Sequence, residues 1–355
     1  MKKIKAVPLS FIYAGCFLGA GFISGQELWQ FFGSFGLWGY LGFCVSATLF
    51  VVFGMIMLRL TQMTGCRELE KLLVPWDHLK WLQRAAGIVA ALFLFGVVII
   101  MSAGVGAMGE QLFSVPAALG SGIFTAAVAL VALLGVSGMV NAFSALVPVL
   151  VGATLLFGIA AWCKFDPSLI LKIKNCNTNP LMPNWLIACL TYVAYNLLGS
   201  IGIMMPLGEY LGDNKRTVRV GILLGGTELV IVAGSILTSV ASAPGTEAAQ
   251  LPMVAVATGI SPFLGSVYGI LLMLGMFCNA LASLVGLCAH MEQKLTWLRG
   301  RGKLYIPLMA VAVWLGSLFG FSDIVGVVFP VFGYVSVVFL VTMVIHYIQE
   351  RKRQK

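Results

Sequence analysis

Ten apolar stretches, each long enough for a bilayer-spanning helix, follow one another along this chain with little sequence between them. They cover residues 6–32, 36–60, 85–113, 117–136, 140–162, 184–211, 217–241, 262–290, 304–321 and 324–348. Crossing the hydrocarbon core takes ~20 mostly apolar residues. Inside lipid every backbone amide and carbonyl must be paired within the protein, which leaves only helices and closed barrels. Strands of a membrane barrel are ~10 residues long, too short to account for these stretches. The chain therefore reads as an all-α membrane protein of about ten transmembrane helices. Its composition agrees: 60% of the 355 residues are hydrophobic and 10% are charged, against about 25% charged in a soluble domain.

The formal net charge is +9, but the basic residues are dealt out between the apolar stretches and form no single patch. A nucleic-acid partner is not expected; the partners are the lipid bilayer and a small-molecule substrate. Of the 22 Lys and Arg residues, 19 fall in the N-terminus, the tail and alternate connections; Lys164, Lys172 and Lys174 make up the other set. Basic loops stay in the cytoplasm, so both termini are expected there, with the protein in the cell membrane. Lys2, Lys3 and Lys5 followed by Ala14-Gly15-Cys16 loosely suggest a cleaved leader. Tyr13 fits a cleavage site poorly and the apolar pattern continues to Phe32, so the segment is expected to be retained.

The central outside connection, 163–183, separates five spans (1–162) from five (184–355, with the basic tail). A second five-span unit starts from the opposite side of the membrane, which makes a 5+5 inverted repeat, an arrangement common in secondary transporters. Cys163 and Cys176 share that connection, and an oxidising side would permit their pairing. The three histidines, His78, His290 and His346, are scattered and suggest no metal site.

In such a repeat the first helix of each half is expected to be broken. Span one contains Gly19-Ala20-Gly21-Phe22-Ile23-Ser24-Gly25, and each glycine weakens a helix by ~1 kcal/mol relative to alanine. Ser24 and Glu27 have the Ser-x-x-Glu spacing of a capping box that starts a new helix. Span six contains Tyr195-Asn196-Leu197-Leu198-Gly199-Ser200-Ile201-Gly202 and then Pro206, a second place to unwind. Unwinding frees carbonyls for a cation and amides for an anion, which suits a zwitterionic substrate at Gly19, Ala20, Gly21, Ser24, Tyr195, Asn196, Gly199 and Ser200. The competing reading is that the small residues only permit close helix packing. Glu27 likewise has two readings, a cap at the new helix start or a protonation or ion site at membrane depth.

At these residues the chain resembles the amino acid–polyamine–organocation superfamily. Within it, "AGCFLGAGFISGQELWQFFG" is similar to the bacterial YkvI-type amino-acid permeases, with a LeuT-type fold; "TYVAYNLLGSIGIMMPLGE" in span six carries the likeness less specifically. The resemblance implies broken helices 1 and 6. It also places the carbonyls of Gly15 and Leu18, and the hydroxyl of Ser283 in span eight, where sodium-coupled relatives hold a sodium ion. Ala282 stands where a second hydroxyl would be and Phe22 where a second site has an amide, so protons are the alternative coupling ion. The resemblance further implies that Ser102 in span three lines the pocket. Asn279, polar at membrane depth in span eight, is a candidate from its own chemistry, with helix–helix hydrogen bonding as the other reading. Glu228 in span seven lies ~16 Å from the cytoplasmic end of its helix at 1.5 Å per residue. There it is either an ion-coupling residue or a structural hydrogen-bond partner. The segment 251–257 is expected to fold back as an outer gate.

These features favour a secondary active transporter of an amino acid or similar zwitterionic metabolite, working by alternating access and coupled to protons or sodium, with no other cofactor. A channel would need rings of charges or carbonyls about an axis, and a non-transporting assembly partner remains the other alternative. An intramembrane enzyme would need convergent nucleophiles, acids or metal ligands, which are missing from the pattern. No Walker-type loop points to an ATP-driven pump.

Overall fold

Apolar runs closed by glycine and proline set the ends of most elements. The computed structural model describes residues 5–65, 69–134, 139–211 and 214–353. Fourteen α-helices occur among them: α1 (Ala6–Phe17), α2 (Ala20–Ile23), α3 (Gln26–Phe31), α4 (Leu37–Thr64), α5 (Leu69–Leu73), α6 (Lys80–Phe113), α7 (Ala117–Leu134), α8 (Met139–Lys164), α9 (Trp185–Leu211), α10 (Lys215–Ser242), α11 (Pro252–Ile260), α12 (Pro262–Lys294), α13 (Gly302–Ser317) and α14 (Phe321–Arg353). No strand occurs among the described residues. Gly65, left-handed at φ 60°, ends α4. Pro252 and Pro262 open α11 and α12, where the missing N–H has no intrahelical partner to lose.

Five helical segments, Leu37–Thr64, Asp77–Phe113, Lys215–Ser242, Pro262–Lys294 and Phe321–Arg353, are long and apolar enough to cross a membrane. Shorter apolar helices of 10–17 described residues overlap the other expected stretches. The pairs α9–α14, α4–α9, α6–α12 and α1–α10 pack along their lengths. The connections meet in two groups. At one end, Cys176 N donates to Ser34 O (2.8 Å), Lys164 Nζ to Ile260 O (2.7 Å) and Phe321 N to Gln250 Oε1 (3.0 Å). At the other end, Lys294 pairs with Glu70 (2.8 Å) and His346 Nδ1 bonds Leu72 O (2.8 Å). The connections that carry Glu70 and Lys294 therefore lie at the opposite end from those that carry Ser34, Cys176 and Phe321.

The first span is broken twice, at Leu18–Gly19 and at Ser24–Gly25, leaving α2 as a single turn between α1 and α3. The expected break in the sixth span is absent, which corrects that expectation. Helix α9 runs unbroken from Trp185 to Leu211, through Gly199, Ser200 and Gly202. Local bonding and packing explain this. Ser200 Oγ donates to Leu197 O (2.9 Å) and Asn196 Nδ2 to Tyr192 O (3.0 Å) within the helix. A methyl on Gly199 would stand 2.7 Å from Phe93, so this small residue admits a neighbouring ring and creates no turn. Cys163 and Cys176 are both free thiols.

Candidate functional site

The second break depends on Gly25. Its φ of +83° is left-handed, a conformation that costs other L-residues ~1–2 kcal/mol. The chain turns there, and Ser24 directs its hydroxyl back to Gly21 O (2.9 Å). Gly25 is the N-cap of α3, and Ser24 Oγ accepts a long bond from Gln26 N (3.4 Å), but the expected reciprocal Ser24–Glu27 capping box does not form among the described residues. The reason is the tertiary partner of Glu27. Tyr195 Oη donates to Glu27 Oε1 at 2.5 Å, drawing the carboxyl away from the helix start and onto α9.

Glu27 is 5% exposed. Its Oε2 lies over Gly21, where an added methyl would come within 2.6 Å, so the carboxyl borders the interrupted segment itself. Asn196 and Tyr192 lie around the same carboxyl. The Tyr192 hydroxyl is buried beside it without the geometry of a hydrogen bond. Aromatic rings complete the surroundings. Phe329 of α14 stacks on Tyr195 (centroids 4.5 Å, 5° between planes), with Phe31 at 5.7 Å and Phe93 of α6 at 6.2 Å.

On the other side of the break, the backbone at Gly19 faces Asn279 Nδ2, 3.3 Å from an added methyl, and that amide reaches Met101 Sδ (3.7 Å). Leu18 is the C-cap of α1, with its N–H on Ala14 O. The last turn of α1, Gly15 included, keeps carbonyls without intrahelical amides. Ser283 is buried on α12. Ala20 belongs to α2, but its side chain lies outside the described residues.

The structure thus gathers Gly19, Gly21, Ser24, Glu27, Tyr195, Asn196 and Asn279 around the interruption. It directs four other candidates elsewhere. The Ser102 hydroxyl accepts from Thr125 on α7 (2.9 Å). Ser200 bonds its own helix, and Gly199 packs on Phe93. Glu228 is half-buried on α10 and accepts from Ser10 of α1 (2.8 Å), below the break.

Several contacts had no counterpart in the sequence reading. Tyr268 on α12 donates to Ile23 O (2.8 Å) and shares a bond with Thr154 on α8 (3.1 Å). Gln26 and Gln30, one turn apart on α3, both donate to Ser322 Oγ (2.7 and 3.1 Å), and their own carbonyl oxygens are buried and unpaired. Their i, i+4 spacing in an apolar stretch was the available signal. Helix α11 covers the break: Met253 N donates to Ser24 O (2.9 Å). The expected fold-back of 251–257 is therefore a helix seated on the first span.

Three solved transporters share this architecture. The chain aligns with MhsT in complex with L-phenylalanine at TM-score 0.66 and 16% identity, over 96% of this chain and 89% of that one. A Na+-coupled sialic acid symporter aligns at TM-score 0.68 and 9% identity, over 96% and 79%. Mhp1, a nucleobase-cation-symport-1 family transporter with bromovinylhydantoin bound, aligns at 0.63 and 15%, over 93% and 75%. The fold is of the LeuT type. In sequence, the chain is 25% identical over 344 residues to the uncharacterized membrane protein YkvI of Bacillus subtilis, covering 95% of each. It is also 25% identical over 346 residues to the uncharacterized protein YyaD of the same organism, covering 94% of each. The likeness to YkvI noted in span one thus extends along nearly the whole LeuT-type chain. No family model matches it.

Proposed function

We propose that this protein is a secondary active transporter of an amino acid or similar small zwitterionic metabolite. It works by alternating access in the cell membrane, with both termini cytoplasmic. One observation carries the reading: the first span is interrupted inside the buried core, and a carboxyl at the interruption, Glu27, is held by Tyr195 of a different span. An interrupted span brings backbone groups to a midmembrane site, and the fold shared with known transporters supports the same conclusion.

The two five-span halves, 1–162 and 184–355, are proposed to move against one another about that site. A single broken helix is enough for this, since α9 contributes side chains and need not contribute free backbone. Coupling is proposed to run through a proton that Glu27 releases when substrate binds and regains when it leaves, with sodium at the carbonyls of Gly15 and Leu18 and the Ser283 hydroxyl as the second reading. The freed carbonyls at the end of α1 favour the latter. Glu228, which joins α10 to α1 through Ser10, is the proposed sensor of movement in the inner half of the first span. A carrier is favoured over a channel because α11 sits directly on the break. The deciding experiment is uptake into proteoliposomes across amino acids and nucleobases under imposed proton or sodium gradients. Saturable uptake with counterflow of labelled substrate is expected. Flux that neither saturates nor shows counterflow would leave a channel.

A further inference from the structure

We propose that Glu27 is the counter-charge for a free ammonium group on the substrate, so that the site selects amines and amino acids over carboxylic acids. This rests on the transporter reading above and names the substrate class of the same site.

A carboxylate this deep is costly without an opposite charge. The groups around Glu27 are Tyr195, Asn196 and Tyr192, and no Lys, Arg or His is paired with it among the described residues. A divalent metal would need several oxygen or nitrogen ligands. No group of three or more His, Cys, Asp or Glu exists among the described residues. One carboxylate is instead the complement of one ammonium.

The walls of the site favour the same ligand. Rings of Phe31, Tyr192 and Phe329 pack on Tyr195, the residue that holds the carboxyl, and an aromatic lining favours organic cations. The fully buried Tyr192 hydroxyl lies beside Glu27 with no bond of good geometry among the described residues, so its oxygen can accept a second ammonium N–H. Gly21 completes the arrangement: with no side chain there, Oε2 borders the interruption where the ligand is proposed to sit. The carboxylate of an amino acid would then point away from Glu27, since like charges repel.

The test uses purified full-length protein in detergent and two sets of probes, each built on one skeleton. The first set is isoamylamine, L-leucine and 4-methylpentanoate; the second is 2-phenylethylamine, L-phenylalanine and 3-phenylpropanoate. Thermal stabilisation is titrated for each. In at least one set, the amine and the amino acid should bind at least tenfold more tightly than the acid. Glu27→Gln should erase that preference, while Glu27→Asp should retain it at reduced affinity. Acids binding as well as amines, amine affinity unchanged in Glu27→Gln, or no amine binding in either set would each overturn the proposal. Counterflow separates this from the transporter reading. Carriage of carboxylic acids alone would refute the ammonium site and leave the carrier intact. Amine binding without flux would refute the carrier alone.

Discussion

The hydroxyl of Tyr195 reaches across 168 residues of sequence to donate to Glu27, joining the broken first span to the unbroken α9. The bond explains why Glu27 does not cap its own helix and why a carboxyl is tolerated at that depth. Breaking one side of such a buried pair leaves the other unsatisfied, at about 1–3 kcal/mol. Tyr195→Phe and Glu27→Met should each lower stability by that order, and the double variant should lose less than the sum. A double-mutant cycle by thermal unfolding in detergent measures the difference; strict additivity would show that the bond contributes nothing.

Gly21 and Ser200 should separate in their effects. A leucine at Gly21 would drive into the Glu27 carboxyl, only 2.6 Å from the first added carbon. Gly21→Leu is expected to abolish uptake while the protein still inserts. Among the described residues Ser200 bonds only Leu197 of its own helix, so Ser200→Ala should cost no more than ~1 kcal/mol and leave uptake nearly intact. Measured uptake of both variants, normalised to membrane expression, gives the answer.

Gly25→Ala meets two obstacles. The left-handed backbone at φ +83° costs alanine ~1–2 kcal/mol, and the new methyl would lie 3.2 Å from both Ile236 and Met253. The seat of α11 on the break should loosen. Lower melting temperature, together with faster proteolysis in the 243–261 connection, is the expected signature.

Tyr268→Phe keeps the ring but removes the hydroxyl that joins Ile23 O and Thr154. A loss of about 1–3 kcal/mol is expected, with the maximal rate of uptake reduced more than the apparent affinity, since this contact touches the backbone of the break and not Glu27. Equal changes in both would place Tyr268 at the substrate instead.

At the basic end, burial raises the pKa of the Glu70 carboxyl, but the hydrogen bond and charge of Lys294 outweigh it and hold the group below its usual value. A carboxyl depressed in the folded state stabilises above its unfolded pKa, and this contribution is lost as pH falls through the lowered value. Lys294 is half exposed, so the contribution is expected to stay below ~1 kcal/mol. Melting temperature of the wild type should fall on acidification below the ordinary glutamate range, and Glu70→Gln should flatten that fall. Identical acid profiles would remove the pair from the account.

Much of the architecture was legible in the residues because lipid imposes a local rule. A stretch of about 20 apolar residues must satisfy its own backbone, so the all-helical character and the small-residue interruption near Gly19–Gly25 could be read without knowing any contact. The same local reasoning misjudged α9, where Gly199 and Ser200 look like a hinge but pack against Phe93 and bond their own helix. Whether a glycine bends a helix or admits a neighbour depends on what stands opposite, and that neighbour is distant in sequence. The fate of Glu27 was decided in the same way. Ser24 and Glu27 are spaced for a cap, yet the hydrogen bond from Tyr195 and the ring of Phe329 behind it exist only once α3, α9 and α14 have packed together. Sequence alone thus set where helices run and where the first one fails. Tertiary packing decided which polar groups face one another, because in a buried low-dielectric interior each group takes whichever partner the assembled helices bring within reach.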